Sequence, residues 1–193
     1  MIPKHTYLAN LELIEPYRES GGCIVECGVW RGGMIGGMAS LLGPQRDYVL
    51  CDSFQGLPKA QIVDGDTALD WQKRTEAPDY FDNCAAPQHF AEEAMRRSGC
   101  ERVTFLKGWF NETLLTYRSP VGIDVLRLDG DWYESTMTCL DALFDQVRPG
   151  GIIILDDYHQ WDGCSRALHD FLSRRSAPER IHSLDRVCYL YKR

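Results

Sequence analysis

Four aspartates follow two apolar segments in the second half of the chain: Asp129, Asp131, Asp156 and Asp157. The two segments, residues 123–128 and 152–155, have the composition of buried β-strands. Open α/β sheets bind ligands at the carboxyl ends of their strands, so these carboxylates are expected in one crevice. Two like charges about 4 Å apart repel by about 4 kcal/mol at an effective dielectric of about 20. Several ionised carboxylates in one crevice therefore call for protons or a divalent cation.

Oxygen ligands favour Mg²⁺, with Mn²⁺ or Ca²⁺ next, over zinc. The alternative is that each aspartate caps a loop or helix separately, and Asp157 in particular could be only a turn residue. Gly130 is expected to permit a sharp turn that separates the directions of Asp129 and Asp131. His159 is close enough in sequence to act as a base or substrate contact, although a lone histidine more often hydrogen-bonds within a loop.

A glycine-rich turn, VECGVWRGG at residues 25–33, follows the first apolar segment. A turn of this kind lets a ligand approach the backbone at a helix N-terminus, and Gly28 and Gly33 are its candidate contact residues. The spacing is not G-x-G-x-x-G, and no G-K-[ST] phosphate loop is present. Glu26 would repel a pyrophosphate but favour the cationic end of a ligand. The alternative is a tight turn with a satisfied glutamate.

Asp52 ends the second apolar segment, about twenty residues after the glycine turn. An acid at this place usually accepts hydrogen bonds from the ribose of an adenosine ligand. Together with Glu26 it indicates a positively charged adenosine ligand, for which S-adenosylmethionine fits better than NAD or ATP. Gly108 and Trp109, which follow the third strand, are candidates for an adenine-facing wall, although a tryptophan is as often a core residue.

Short apolar segments alternate with helix-period segments, which predicts an α/β fold with a mostly parallel sheet covered on both faces. A leading helix is expected within residues 1–22 and a long helix over Glu134–Val147, after which 148–151 turn into the fifth strand. The tail, 181–191, fits two short antiparallel strands. The pattern is lost in residues 56–86, which are predicted to form a lid or substrate segment with a helical piece inside.

The 193 residues are expected to form one domain, and the net charge of −7 comes without a basic cluster. These properties argue against a nucleic-acid or anionic-membrane surface. The N-terminus lacks a signal-peptide pattern and no apolar stretch approaches about 18 residues, so a cytoplasmic enzyme is expected. The eight cysteines include no C-x-x-C pair and are interpreted as structural free thiols.

Four further motifs accompany the glycine turn: CDSFQGLP at 51–58, FLKGWFNETL at 105–114, LRLDGDWYESTMTCLDAL at 126–143 and RPGGIIILDDY at 148–158. With these motifs in this order, the chain resembles the macrocin-type O-methyltransferases, which include the mycinamicin and novobiocin sugar methyltransferases. The resemblance extends from residue 25 to about residue 172. The glycine turn alone would be weak evidence, whereas the set of motifs is highly specific.

The resemblance implies a class I methyltransferase fold, Rossmann-like, with a seven-stranded, mostly parallel sheet and a C-terminal antiparallel strand. It also implies Mg²⁺-dependent methyl transfer from S-adenosylmethionine to oxygen. Asp129, Asp156 and Asp157 match the family's metal ligands, and Asp131 matches its proposed general base. The positions that fall in the cofactor motifs are Glu26, Gly28, Asp52 and Ser53.

Acceptors in the family are hydroxyls on the deoxysugars of antibiotics and related natural products, so a glycosylated small molecule is the expected partner. Family members usually carry tens of additional N-terminal residues, and about 22 precede the first strand here, so the lid and acceptor pocket are expected to differ. Alternatives are N-methylation or phenol or catechol O-methylation on the same fold, a nicotinamide dehydrogenase, and a non-catalytic partner protein that binds S-adenosylmethionine. The sequence is compatible with a homo-oligomer but does not specify one.

Overall fold

Strands and helices alternate along residues 2–193, the part of the chain that the computed structural model describes. The strands are β1 (Cys23–Cys27), β2 (Tyr48–Asp52), β3 (Val103–Lys107), β4 (Ile123–Leu128), β5 (Val147–Leu155), β6 (His182–Leu184) and β7 (Val187–Tyr191). The helices are α1 (Lys4–Ile14), α2 (Gly33–Leu42), α3 (Asp66–Lys73), α4 (His89–Arg97), α5 (Phe110–Thr113), α6 (Tyr133–Leu143) and α7 (Asp162–Arg174). The predicted α/β alternation, the leading helix and the two tail strands are confirmed.

The strands form one sheet in the order β3-β2-β1-β4-β5-β7-β6. All neighbours from β3 to β5 run parallel, and β7 runs antiparallel to both β5 and β6. The chain moves outward from β1 to β3 and then returns to β4 on the other side of β1. Such a reversal opens a crevice at the carboxyl ends of the two central strands, where open α/β sheets bind ligands.

Alternate residues of the central strands face two separate hydrophobic cores. Val25 of β1 and Leu126 of β4 pack on the side of α6 and α7. Ile24 and Val125 pack on the opposite side, against α1, α2 and α4. Because both faces are covered, the central strands are apolar at nearly every position, as parallel strands in such sheets usually are.

The boundary between α6 and β5 differs from the prediction of a helix over Glu134–Val147. The α-helix ends at Leu143, a 3₁₀ turn covers Phe144–Gln146, and β5 already begins at Val147. Val147 pairs with Ile123, and the next paired residue of β5 is Ile152. Residues 148–151 therefore form a bulge within the strand rather than a turn before it, and backbone hydrogen bonds to Lys192 hold this bulge.

Asp64, at the end of a 3₁₀ turn in the 56–86 segment, fixes that segment to the first turn of α6. The predicted helical piece is α3, which follows this turn. The buried Asp64 carboxylate accepts hydrogen bonds from the backbone N–H of Tyr133 (2.7 Å) and of Gln61 (2.7 Å). Because Tyr133 begins α6, an aspartate distant in sequence satisfies one of the N–H groups that a helix start leaves unpaired.

Three buried tryptophans complete the docking of this segment. Trp71 of α3 packs edge-on against Trp132 and Trp161, with ring centroids 6.1 Å and 6.0 Å away. Trp132 and Trp161 are themselves 5.2 Å apart. The Trp132 indole N–H also donates to the carbonyl of Pro58 (2.9 Å). Edge-to-face aromatic pairs add about 0.5–1.5 kcal/mol each beyond the area that they bury.

The turn after β1 is held by Asp52 at the end of β2. One Asp52 oxygen accepts the backbone N–H groups of Val29 (2.7 Å) and Trp30 (2.8 Å), and the other accepts that of Phe54 (2.7 Å). Gly28 has a φ of 88°, and a Cβ added there would lie 1.7 Å from the carbonyl oxygen of Asp129. The turn thus crosses directly over the end of β4, where only glycine fits.

The eight cysteines are free, and six of them are buried, so the prediction of unpaired structural thiols is confirmed. Within residues 2–193, no helix combines the length and the apolar character needed to cross a lipid bilayer.

We predict that Gly28→Ala lowers the free energy of unfolding by about 3 kcal/mol or more, because it adds a clash with Asp129 to a left-handed backbone. Gly33→Ala is the control, since a Cβ there meets no atom within 4 Å and the change should stay within about 1 kcal/mol. Urea denaturation of both variants measures the difference. Equal stability of the two variants would contradict the close approach of the turn to β4.

We predict that Asp64→Ala lowers the free energy of unfolding by about 2–4 kcal/mol, because two backbone N–H groups lose their acceptor. The exposed Asp66 of α3 provides the control, as Asp66→Ala should cost about 0.5 kcal/mol at most. The midpoints of chemical denaturation compare the two variants. An effect of Asp64→Ala no larger than that of Asp66→Ala would show that the segment does not depend on this cap.

Candidate active site

A cavity of about 910 Å³ lies at the carboxyl ends of the central strands. All of the site residues predicted from the sequence line it, namely Glu26, Gly28, Gly33, Asp52, Ser53, Gly108, Trp109, Asp129, Asp131, Asp156 and Asp157. They come from the ends of β1, β2, β3, β4 and β5 and from the turns that follow them. The structure thus brings together residues that are more than 100 positions apart in the chain.

Arg127, a fully buried residue of β4, lies at the base of this cavity and was not predicted from the sequence. Its Nη1 donates hydrogen bonds to Glu26 Oε1 (2.8 Å) and to Asp129 Oδ2 (2.7 Å). Its Nη2 forms an ion pair with Asp156 Oδ1 at 2.8 Å, outside hydrogen-bonding alignment. One guanidinium therefore contacts three carboxylates from three consecutive strands of the sheet.

The register of the sheet explains this cluster. Glu26 and Arg127 are paired residues on β1 and β4, so their side chains leave the same face next to each other. Asp129 lies two residues beyond Arg127 in the chain. Asp156 lies two residues beyond Ile154, the residue of β5 that pairs with Arg127. Side chains two positions apart in a strand point to the same face of the sheet, so both carboxylates lie on the face of Arg127. Asn10 of α1 covers the cluster, and its Oδ1 accepts a hydrogen bond from Arg127 Nε (3.2 Å).

The electrostatics of the cluster reflect its burial. Burial alone would lower the pKa of Arg127, but Asp129, Asp156 and Glu26 raise it well above its ordinary value, so the guanidinium stays charged. Burial raises the pKa of Glu26 to about 8, although Arg127 acts in the opposite direction. The site contains more carboxylates than one arginine can neutralise. It therefore favours an additional positive charge.

Glu26 Oε2 is the clearest sign of where one such charge would bind. This oxygen is buried and has no hydrogen-bond partner in the described part of the chain, whereas Oε1 is held by Arg127. A buried acceptor without a partner costs about 1–3 kcal/mol. Because the residue lines the cavity, a ligand that carries an ammonium group can supply the missing partner.

Asp129, Asp156 and Asp157 are close enough together to bind one cation. One carboxylate oxygen from each lies within 4.8 Å of the others. Arg127 contacts a single oxygen of Asp129 and of Asp156, and Asp157 Oδ2 accepts the backbone N–H of Asp131 (3.1 Å). Each carboxylate keeps a second oxygen without a donor in residues 2–193. Three such oxygens suit a hard divalent cation such as Mg²⁺.

Asp131 is not among the carboxylates that pair with Arg127. Its Oδ1 accepts a hydrogen bond from the indole N–H of Trp161 (2.7 Å). Burial, and to a smaller extent the negative charge of Asp129, raises the pKa of Asp131 to about 8. The turn has its left-handed residue at Asp131, with a φ of 58°, so the expectation that Gly130 provides the sharp turn is wrong. Gly130 is instead a position of close packing, where a Cβ would lie 3.2 Å from Phe110.

The other end of the cavity is formed by the glycine turn and the turns after β2 and β3. Ser53 Oγ accepts the backbone N–H of Gln55 (3.0 Å) and so shapes the chain that follows Asp52. The backbone N–H of Gly108 donates to the carbonyl of Asp52 (3.0 Å). This bond extends the pairing of β2 with β3 to the residue before Trp109. Asp52 itself already accepts three backbone N–H groups, so its carboxylate also has a structural task.

Residues of the 56–86 segment and of the loop just before α7 form the remaining wall. Phe81 lines the cavity with its ring centroid 6.0 Å from that of Trp30 in the glycine turn. Trp71 and Trp161 also line it. His159 reaches the cavity, and its Nε2 lies 2.8 Å from Ser183 Oγ of β6, so its partner is a strand residue rather than a loop residue.

Three residues of the site, Arg127, Asn10 and Trp161, were missed in the sequence. Arg127 had a recognisable signal, because an arginine inside a buried strand needs acids on its own face and Asp129 follows two residues later. Asn10 had none, since it reaches the site only through the packing of α1. Trp161 had the weak signal of a tryptophan close to Asp157, but its contact with Asp131 depends on the fold.

The family model described as Macrocin-O-methyltransferase (TylF) matches residues 13–193. A tetracenomycin-C rhamnosyl 4'-O-methyltransferase of Streptomyces olivaceus is 37% identical over 172 residues, which are 85% of this chain and 63% of that protein. The mycinamicin III 3''-O-methyltransferase of Micromonospora griseorubida is 34% identical over 182 residues, or 89% and 68% of the two chains.

The solved structure of the O-methyltransferase NovP superimposes with a TM-score of 0.77 and 29% identity, covering 94% of this chain and 78% of that one.

The chain spans just under two thirds of the length of the Streptomyces olivaceus relative and about two thirds of the length of the Micromonospora griseorubida relative. The match covers the glycine turn, both acidic strand ends and the antiparallel tail. This chain therefore belongs to the macrocin O-methyltransferase family, and its fold is that of the class I methyltransferases.

Proposed function

We propose that this protein transfers a methyl group from S-adenosylmethionine to a hydroxyl of a sugar, or of another vicinal diol, on a small-molecule natural product, with Mg²⁺ as cofactor. The observation that carries the proposal is the content of one cavity. Glu26 Oε2 offers an unpartnered buried acceptor, while Asp131 and the three-carboxylate group stand in the same cavity. Family membership supports the reaction type.

S-adenosylmethionine brings a methyl group on a sulfonium, which an oxygen nucleophile can displace. Glu26 is the residue that would accept its amino group, because a cation beside Oε2 restores the ionised form of this carboxylate. Asp52 lies at the end of β2, where ribose hydroxyls are bound in this type of sheet. The turn from Gly28 to Gly33 and the turn at Gly108 and Trp109 line the cavity beside it.

Mg²⁺ held by Asp129, Asp156 and Asp157 would lower the pKa of an acceptor hydroxyl, and each unit of lowering corresponds to about 1.4 kcal/mol. The three carboxylates have the oxygen donors that this cation prefers. Arg127 fixes two of them, and the backbone N–H of Asp131 fixes the third.

Asp131 is the residue that would remove the proton from the acceptor hydroxyl. Trp161 holds one of its oxygens, and the other has no donor among the described residues, so it is available to a substrate hydroxyl. A carboxylate with a free oxygen beside the acceptor can act as a general base. The hydrogen bond from Trp161 and the left-handed backbone fix the position of this carboxylate, and positioning of this kind is a large part of catalysis in such displacements.

The acceptor class rests on the relatives and on the cavity wall. The name of the Streptomyces olivaceus relative specifies a rhamnosyl group on tetracenomycin C, and that of the Micromonospora griseorubida relative specifies mycinamicin III. Phe81, Trp71 and Trp161 give the wall of this cavity an aromatic surface against which the apolar face of a sugar could pack.

Other acceptors on the same fold are less well supported. An amine needs only its neutral form to react, so a cluster of acids beside the acceptor would serve little purpose for N-methylation. A phenol or catechol acceptor is compatible with the same acids. A methyl-transfer assay that includes both catechols and deoxysugar glycosides distinguishes the two acceptor classes. The carboxylate set is complete, which argues against a non-catalytic partner protein.

We predict that exhaustive dialysis against EDTA lowers turnover about 100-fold or more, since metal activation contributes several kcal/mol. The assay follows transfer of a labelled methyl group from S-adenosylmethionine to a panel of deoxysugar glycosides and catechols. Added Mg²⁺ should restore the rate, and Mg²⁺-saturated EDTA is the control. Undiminished turnover after chelation would remove the metal from the mechanism, and transfer only to catechols would remove the sugar acceptor.

We predict that Asp131→Asn lowers turnover at least about 100-fold while leaving the affinity for S-adenosylhomocysteine nearly unchanged. Asparagine tolerates the left-handed conformation and can still accept the Trp161 N–H, so the shape of the turn should be retained. Glu134→Gln, a cavity residue with an exposed side chain, is the matched control and should retain turnover. Full activity of Asp131→Asn would contradict the assignment of the base.

A further inference from the structure

We propose that Arg127 is a positioning residue. Its guanidinium fixes Glu26, the carboxylate expected to bind the cofactor's amino group, and also Asp129 and Asp156, two of the carboxylates expected to bind the cation. This inference rests on the proposed function and adds a physical link between its two ligand subsites. Arg127 touches neither ligand in this scheme. It acts through Glu26 on one side and through Asp129 and Asp156 on the other.

The contacts of Glu26 show how much it depends on Arg127. Within residues 2–193, its only hydrogen-bond donor is Arg127 Nη1, at 2.8 Å from Oε1. This bond leaves Oε2 as the free atom and determines its direction. Without the guanidinium, a buried carboxylate in this place would lose its orientation and the nearby charge that favours its ionised form.

Asp129 and Asp156 depend on the same guanidinium. Nη1 also donates to Asp129 Oδ2 at 2.7 Å, and Nη2 lies 2.8 Å from Asp156 Oδ1. In both residues the second oxygen accepts no hydrogen bond from residues 2–193 and is free to bind a cation. Groups that orient metal ligands in this way typically change metal affinity 10–100-fold when they are removed. A lysine offers a single ammonium and cannot reproduce the planar guanidinium that spans three carboxylates.

Asn10 fixes Arg127 from the other side of the cluster. Its Oδ1 accepts Arg127 Nε at 3.2 Å, and its Nδ2 lies 3.3 Å from Asp156 Oδ1. Asn10 is fully buried and its Nδ2 also donates to the carbonyl of Thr6 (2.9 Å), so α1 holds its side chain in place. The orientation of the guanidinium therefore depends on the docking of α1 as well as on the acids.

The experiment measures two binding constants in the absence of turnover. Electron paramagnetic resonance of free Mn²⁺ gives the cation affinity, and titration calorimetry gives the affinity for S-adenosylhomocysteine. Both are measured for the native protein, for Arg127→Lys and for two controls that replace residues without contact to Arg127. Asp157→Asn is the control for the cation subsite, and Asp52→Asn is the control for the cofactor subsite.

We expect Arg127→Lys to weaken Mn²⁺ and S-adenosylhomocysteine binding together, each about 10-fold or more. Asp157→Asn should weaken mainly Mn²⁺ binding, and Asp52→Asn mainly S-adenosylhomocysteine binding. A purely structural role would lower the melting temperature of Arg127→Lys but leave both affinities of the folded protein native. That result would overturn the proposal, as would tighter Mn²⁺ binding, which would mean that Arg127 chiefly repels the cation.

Asn10→Leu provides a second variant should Arg127→Lys fail to fold. It leaves the three acids and the guanidinium in place and removes the hydrogen bonds of Asn10 to Arg127 Nε and to Asp156 Oδ1. We expect smaller losses in both affinities, again together, and native affinities would overturn the proposal. A native protein that binds S-adenosylhomocysteine but no Mn²⁺ would instead refute the metal in the proposed function. The two failures are therefore distinguishable.

Discussion

The buried ion cluster around Arg127 is the interaction on which the site depends. Moving a single charge into a protein interior costs several kcal/mol, and the cost is offset only when partners and hydrogen bonds are well placed. Here Glu26, Asp129 and Asp156 surround the guanidinium from three strands, and Asn10 closes the last side. Hydrophobic residues of similar volume could give equal stability. The function of the site therefore explains the presence of this cluster better than the stability of the fold does.

The order of the strands makes the cluster possible. The strand order reverses after β3, so the parallel strands β1 and β4 are neighbours although about a hundred residues separate them. The carboxyl end of β4 therefore carries Arg127 and Asp129 between the acids of β1 and β5. The same geometry brings the turn at Gly28 over the backbone of Asp129. The glycine turn and the acidic edge of the sheet are thus parts of one continuous surface.

Much of this arrangement could be predicted from the sequence, because local patterns determine it. Apolar segments marked the strands to within a residue or two, except for the start of β5, and acids at their ends marked the crevice. Interactions between segments distant in sequence could not be predicted. The end of α6 was placed too late because Val147 continues the helical spacing of Leu143, whereas its pairing with Ile123 places it in β5. Asn10 and Trp161 reach the site only through tertiary packing.

The anchoring of residues 56–86 has a consequence for how substrate range can change during evolution. Asp64 caps the helix that starts two residues after Asp131, and Trp71 packs against the tryptophan that holds the Asp131 carboxylate. An insertion or deletion within this segment would displace the turn at Asp131 together with the cavity wall. Substitution of Phe81, which lines the cavity and packs against Trp30, would change the cavity wall without removing the contacts that hold Asp131.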